Sequence, residues 1–219
     1  MRKENRIIHF EHLDKTYRIE LEKQNEGYPD LSGMVLVSTA KLFDEEKEIG
    51  FCQFTTYRKR KNECFVGLGN IAFSLDAISS RHANNFERVA SVSTYILEEN
   101  FNDSAVVVAD TVEIEPPYRG SGLWKKLYAH TLQFATEKLR RMPDEFYFEA
   151  FPLEFSGYEN FEAIKEDFKR EREKLVRLYE YELKADIESE SDNMLVMSAG
   201  VQYVLSFLDD RPATRMRMR

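Results

Sequence analysis

The segment AVVVADTVEIEPPYRGSGLWKKLYAHTLQFA, in which an apolar strand ends at two prolines and turns through Arg119-Gly120-Ser121-Gly122 into a helix, constrains this chain more than any other. Val106, Val107, Val108, Val112 and Ile114 supply the β-branched run, and Pro116 and Pro117 stop further ladder pairing. The glycines let the backbone fold tightly while aiming free amide hydrogens outward. A helix start leaves about four amide donors unpaired and gathers partial positive charge, so the segment reads as a device for holding phosphate. Lys125 and Lys126 oppose the helix dipole by roughly 0.3–1 kcal/mol each, a penalty that a bound polyanion reverses; two solvated lysines are the plainer alternative.

Two nucleotide-binding patterns are excluded by spacing. A Walker A loop needs four residues between its glycines and then Gly-Lys-Ser/Thr, and a dinucleotide fingerprint needs a third glycine where this chain has Lys125. The order Pro-x-Tyr-Arg-Gly-x-Gly-Leu instead resembles the acyl-CoA binding motif of the GNAT superfamily of N-acyltransferases, Arg/Gln-x-x-Gly-x-Gly/Ala. Arg119 and Gly122 fill the first two fixed places, whereas Trp124 occupies the third, where the family has a small residue. Trp124 either crowds the coenzyme or turns into the core with Tyr128, Leu132, Ala135 and Leu139, which share its helix face. The resemblance covers residues 105 to 155 and assigns the coenzyme, acetyl-CoA as acyl donor, to Arg119, Gly120, Ser121, Gly122, Leu123, Trp124 and Lys125.

With 219 residues and 42% hydrophobic content, the chain is long enough to bury one substantial core. The expected organisation is one GNAT-like domain over residues 1–199 and a C-terminal extension over 200–219 with a basic tail. The apolar runs are strand-length and MRKENRIIHFEH lacks a signal-peptide core, so neither a membrane span nor a leader is expected. Cys52 and Cys64 have no metal-ligand spacing, and His9, His12, His82 and His130 form no recognisable motif; the expectation is a cytosolic, reduced, metal-free protein. A net charge of −8 argues against a broad nucleic-acid surface and suits a cationic amine substrate. The tail RPATRMRMR, with four arginines in nine residues, reads as a solvated end, with contact to a polyanion or partner, or a homodimer, as the alternative.

Residues 16 to 23, 34 to 43 and 48 to 57 read as strands of an antiparallel meander, joined by NEGYPDLSG and DEEKE. KRKNE is a charged loop, ECFVGLGNIAFSLD includes a short strand, and residues 80 to 99 form a helix with Phe86, Val89, Ser93, Ile96 and Leu97 on one face. A strand at 105 to 115, a helix at 122 to 141 and an aromatic strand in DEFYFEAFPLEF make a unit that favours a parallel pair. A charged helix at 159 to 183, a turn and a final strand in DNMLVMS complete the chain. The fold class is thus α/β: a mixed, largely antiparallel sheet flanked by helices. The GNAT resemblance implies that its parallel pair splays apart to admit the acyl-CoA tail, with FPLEF as one wall. The family's helices between its first two strands have no counterpart, because NEGYPDLSG is too short to contain them.

An N-acyltransferase must take a proton from an attacking amine and deliver one to a departing thiolate while a backbone donor holds the thioester oxygen. Glu113 and Glu115 alternate along the central strand and share a side in regular pleating, unless a bulge splits them; solvated or ion-paired carboxylates are the alternative. The resemblance implies that the backbones of Val112 and Ile114 bind the pantetheine. It also points to Tyr179 as the acid, although the spacing onward to LKAD departs from the family's Tyr-x-x-x-Gly-Phe. Tyr181 is equally allowed by helical register, and among 11 tyrosines a structural role for both is the alternative. The expected activity is transfer of acetyl from acetyl-CoA to a small-molecule or peptide amine by direct attack. A noncatalytic GNAT-like acyl-CoA-binding or protein-interaction module is the alternative, favoured by Trp124, the blurred tyrosine motif and the altered first half.

Overall fold

The computed structural model describes residues 4–24, 35–58, 86–93, 105–150, 152, 161–190 and 195–209. The expectations for NEGYPDLSG, KRKNE, ECFVGLGNIAFSLD, most of FPLEF and the basic tail lie outside these residues. Eight strands form one sheet: β1 (Glu4–His12), β2 (Lys15–Gln24), β3 (Val35–Asp44), β4 (Lys47–Arg58), β5 (Ala105–Ile114), β6 (Glu145–Glu149), β7 (Asp186–Glu190) and β8 (Leu195–Ala199). The strands lie in the order β1-β2-β3-β4-β5-β6-β8-β7, and every neighbouring pair is antiparallel except β5 with β6. This is the mixed, largely antiparallel sheet that the resemblance implies.

Helix α1 (Leu123–Leu139) follows β5, α2 (Phe161–Leu183) follows β6, and a short α3 (Val201–Leu205) follows β8. The buried residues of α1 include Leu127, Tyr128, Leu132, Phe134, Ala135 and Leu139, the helical spacing that lays one face on the sheet. Arg140 ends α1 in the left-handed region, φ 59°. Residues 86–90 are helical, but residues 91 and 92 already turn, so the helix expected over 80 to 99 does not continue through them. Phe86, Val89 and Ser93 are buried as its spacing requires, and Ile96 and Leu97 lie outside the described residues.

Two edge strands escaped the sequence reading, and both are polar for a physical reason. Among the described residues β1 contacts the core through Ile8 and Phe10, while Ile7 is exposed. β7, read as a turn, has no fully buried residue. An edge strand packed lightly on one face needs no apolar alternation. β1 joins β2 through Leu13 and Asp14, both at positive φ (50° and 60°), so that His12 pairs with Lys15 across a two-residue hairpin.

The core holds a connected set of rings. Phe54 meets Tyr128 edge to face at 5.2 Å and Phe146 at 5.2 Å, and Phe148 meets Tyr179 at 4.9 Å. Such contacts add about 0.5–1.5 kcal/mol each beyond area burial, and they fix the height of α1 and α2 above the sheet. The turn after β8 belongs to the same core: Val201 and Val204 are buried in it, and Phe207 packs against it from the following 3₁₀ turn, Ser206–Leu208.

Candidate functional site

The parallel ladder between β5 and β6 is short. Val106 through Ala109 pair with Glu145 through Phe148, after which β5 runs on to Ile114 without β6 beside it. At Asp110 the β4–β5 register also slips, since Gln53 opposes Thr111 and Phe54 opposes Ala109. This bulge is tied down by Asp110, whose Oδ2 accepts from Gln53 Nε2 (3.2 Å) and Thr55 Oγ1 (2.5 Å). A bulge sharpens local twist, and here it coincides with the divergence of the parallel pair.

The divergence opens a cleft of about 1080 Å³, at the upper end of the size expected for a small-ligand site. Its floor comes from β4 and β5, Pro152 lies on one wall, and α2 covers it with Glu171, Lys174, Leu175, Leu178 and Tyr179, a stripe at helical spacing. Val112, Glu113, Ile114 and Glu115 all reach the cleft. The amide of Glu115 is bonded to Ile49 of β4 (2.8 Å), so the backbone groups of Val112 and Ile114, one residue out of phase, point to the opposite edge, where β6 has left. Arg119 Nε donates to the Ile114 carbonyl at 2.9 Å, which leaves the Val112 edge free of that tether.

Because the bulge lies N-terminal to Glu113 and Glu115, it does not separate them. Their surroundings differ nonetheless: Glu115 is ion-paired with Lys47, while Glu113 is exposed and has no ion-pair partner among the described residues. Of the other cleft carboxylates, Glu48 pairs with Lys41 (2.8 Å) and Glu171 with Lys174 (2.7 Å).

The loop after β5 has the geometry required to present amides. Pro116–Tyr118 form a 3₁₀ turn, Arg119 is extended, and Gly120 and Gly122 take φ of 79° and 84°, values that suit glycine. Ser121 Oγ donates to the Tyr118 carbonyl (2.6 Å) and accepts weakly from the Leu123 amide (3.4 Å), and the Lys125 amide bonds Gly122 (3.0 Å). The amides of Gly120, Ser121, Gly122 and Trp124 meet no acceptor among the described residues. A Cβ built on Gly120 would meet nothing within 4 Å, so the space beside the loop is open. These residues fit an anionic group such as a pyrophosphate.

Trp124 lies half-buried, edge to face with Tyr128 (5.6 Å) and Tyr179 (5.9 Å), on the cleft side of the aromatic set. It packs on the core and lines the cleft at once, without closing on Gly120. The lysines depart from the solvated reading: Lys126 is buried, and Lys125 Nζ is held by Glu182 at 2.6 Å beneath the Phe207 ring.

Tyr179 is buried against Phe148 and lines the cleft, whereas Tyr181 is 73% exposed. Burial pushes the Tyr179 phenol up to about 12, against a smaller opposing effect of its hydrogen bond with Tyr128. Cys52, deep beneath this pair, has its thiol raised by burial and is inert packing.

Two features of the site had no signal in local sequence. Asp44, at the end of β3, accepts from Lys15 Nζ (2.6 Å) and from the Tyr118 hydroxyl (2.7 Å), anchoring the turn that leads into the loop. These two hydrogen bonds hold its carboxyl below the usual range. His12 reaches the loop itself, with Nε2 2.7 Å from the Ser121 carbonyl oxygen. No cluster able to hold a metal ion occurs among the described residues. No helix among them is long and apolar enough to cross a membrane.

No protein-family model matches the chain, and no curated protein matches it. Among solved structures it is similar to a bacterial toxin, with 15% identity, 82% of this chain and 75% of that one covered, and a TM-score of 0.42. It is similar as well to a point mutant of the toxin AtaT bound to the C-terminus of the antitoxin AtaR (12% identity, 80% and 73% covered, TM-score 0.41). A third is the loading GNATL domain of CurA from Lyngbya majuscula (13% identity, 75% and 77% covered, TM-score 0.34).

Proposed function

We propose that this protein is a GNAT-type N-acyltransferase that moves an acetyl group from acetyl-CoA to a primary amine by direct attack. The observation that carries the proposal is the loop at Gly120–Gly122, whose amides, without an acceptor among the described residues, stand at the start of α1 beside the cleft opened by β5 and β6. Arg119 through Lys125 receive the pyrophosphate, and the exposed backbone edge at Val112 faces the thioester arm, with Ile114 held by Arg119. Leu175, Leu178 and Trp124 supply an apolar wall for the arm.

In the reaction the amine nitrogen bonds to the acetyl carbon, the carbon–sulfur bond breaks, and its electron pair leaves with sulfur. Glu113, with no ion-pair partner among the described residues, accepts the proton lost by the amine, directly or through water. A phenol with a pKa of about 12 keeps its hydrogen at neutral pH. Full transfer to a thiolate of ordinary pKa near 8.5 is uphill, so Tyr179 stabilises the departing sulfur by hydrogen bonding while solvent supplies the final proton. Glu113, the one cleft carboxylate without an ion-pair partner among the described residues, favours a cationic acceptor.

The direct test follows thiol release from acetyl-CoA across small amines and peptides. An amine-dependent release with a matching acetylated product supports transfer. Stoichiometric coenzyme binding with no release for any amine supports the noncatalytic acyl-CoA-binding module instead.

A further inference from the structure

His12 lies at the end of β1, 109 residues before the loop carbonyl it touches. A carbonyl oxygen only accepts, so the imidazole Nε2 carries the hydrogen and donates it to Ser121. The ring also lies against the next residue: a Cβ on Gly122 would stand 3.9 Å from its Cε1 and 4.0 Å from its Nε2.

The consequence follows from peptide geometry. The Ser121 carbonyl and the Gly122 amide belong to one planar unit and point to opposite sides of it. Fixing the oxygen therefore fixes the amide hydrogen. Gly122, at φ 84°, offers little steric resistance to rotation of that unit, and a rotated unit would turn an oxygen, the wrong sign, toward a bound anion. The other bonds of the loop leave this unit unrestrained: Ser121 Oγ holds the Tyr118 carbonyl, and Lys125 holds the Gly122 carbonyl on the far side.

We propose that His12 is a positioning residue for the anion site, holding the Ser121 carbonyl away so that the Gly122 amide stays aimed at the pyrophosphate of the acyl donor. This rests on the coenzyme reading above. It gives the β1–β2 hairpin a role in ligand binding although no part of the hairpin lines the cleft.

Calorimetric titration with coenzyme A tests it, using the wild type, His12→Ala, His12→Gln and, as a control on the exposed side of the same strand, His9→Ala. His12→Ala should raise the Kd about tenfold, the scale of the Gly122 amide's hydrogen bond to an anionic phosphate, and His9→Ala should leave it unchanged. His12→Gln, whose side-chain amide can donate to the same carbonyl, should recover most of the affinity. If the wild type takes up no coenzyme A, the coenzyme reading fails and the proposal with it. If the wild type binds and His12→Ala binds equally well, the His12 proposal is overturned and the coenzyme reading stands. Should His12→Ala lose its fold, the glutamine variant decides: folded but weak-binding overturns the proposal, folded and tight-binding supports it.

Discussion

Tyr179 and Tyr181 are two positions apart on one helix and meet opposite environments, which turns a choice between residues into a measurable difference. Tyr179→Phe should lower the maximal acyl-transfer rate about 10²-fold with little change in acetyl-CoA affinity, because its hydrogen bond matters when sulfur takes on charge. Tyr181→Phe, at an exposed site, should leave both unchanged. Comparing kcat and coenzyme Kd of the two variants checks this. The raised phenol also carries a pH signature. Below pH 10 neither folded nor unfolded Tyr179 is ionised, so its shift contributes nothing. From about 10 to about 12 the unfolded chain ionises while the folded one keeps its proton, and stability falls as pH rises, by up to about 1.4 kcal/mol per pH unit. Denaturant titrations across that range should show a shallower decline for Tyr179→Phe; an unchanged slope would contradict the burial argument. Sequence offered both tyrosines because register alone leaves the phase of a helix against a cleft undetermined. Glu113 and Glu115 were equally legible as a pair, but the Lys47 that makes their surroundings differ comes from a neighbouring strand.

Among the elements, the β4–β5 pair shapes the site, and Gly50 is its tightest point. A Cβ there would lie 2.7 Å from Ile114 Cδ1 and 3.0 Å from the Glu113 carbonyl oxygen, so Gly50→Val must displace the cleft floor. We expect it to cost about 1–3 kcal/mol in stability, read by chemical denaturation, and to weaken coenzyme binding as well. Retained binding in a destabilised variant would show that the floor does not shape the donor site. The strand-to-helix unit was readable in sequence because its signals are local: a valine run, a proline pair, two glycines and a 3.6-residue apolar period. β1 and β7 were not, since an edge strand with one lightly packed face has no such pattern. The contact of His12 with the loop is hidden for a related reason: it exists only once the hairpin has docked beside α1.

At the scale of the molecule, one core ties the cleft to α3 and the turn at Ser206–Leu208. Val204 is fully buried, so Val204→Ala should lower stability by about 2 kcal/mol in thermal or chemical denaturation. Removing residues 211–219 should leave coenzyme binding unchanged, and lost binding would assign the arginines a role in the domain. The central claim is that the glycine loop receives an acyl-CoA. Its most direct test is a calorimetric titration of acetyl-CoA into the wild type and into Gly122→Val, with circular dichroism to confirm that the variant is folded. The account predicts one acetyl-CoA per wild-type chain and none for the folded variant, whose side chain at φ 84° would disturb the amide array. An absence of binding by the wild type, or equal binding by the folded variant, would contradict it.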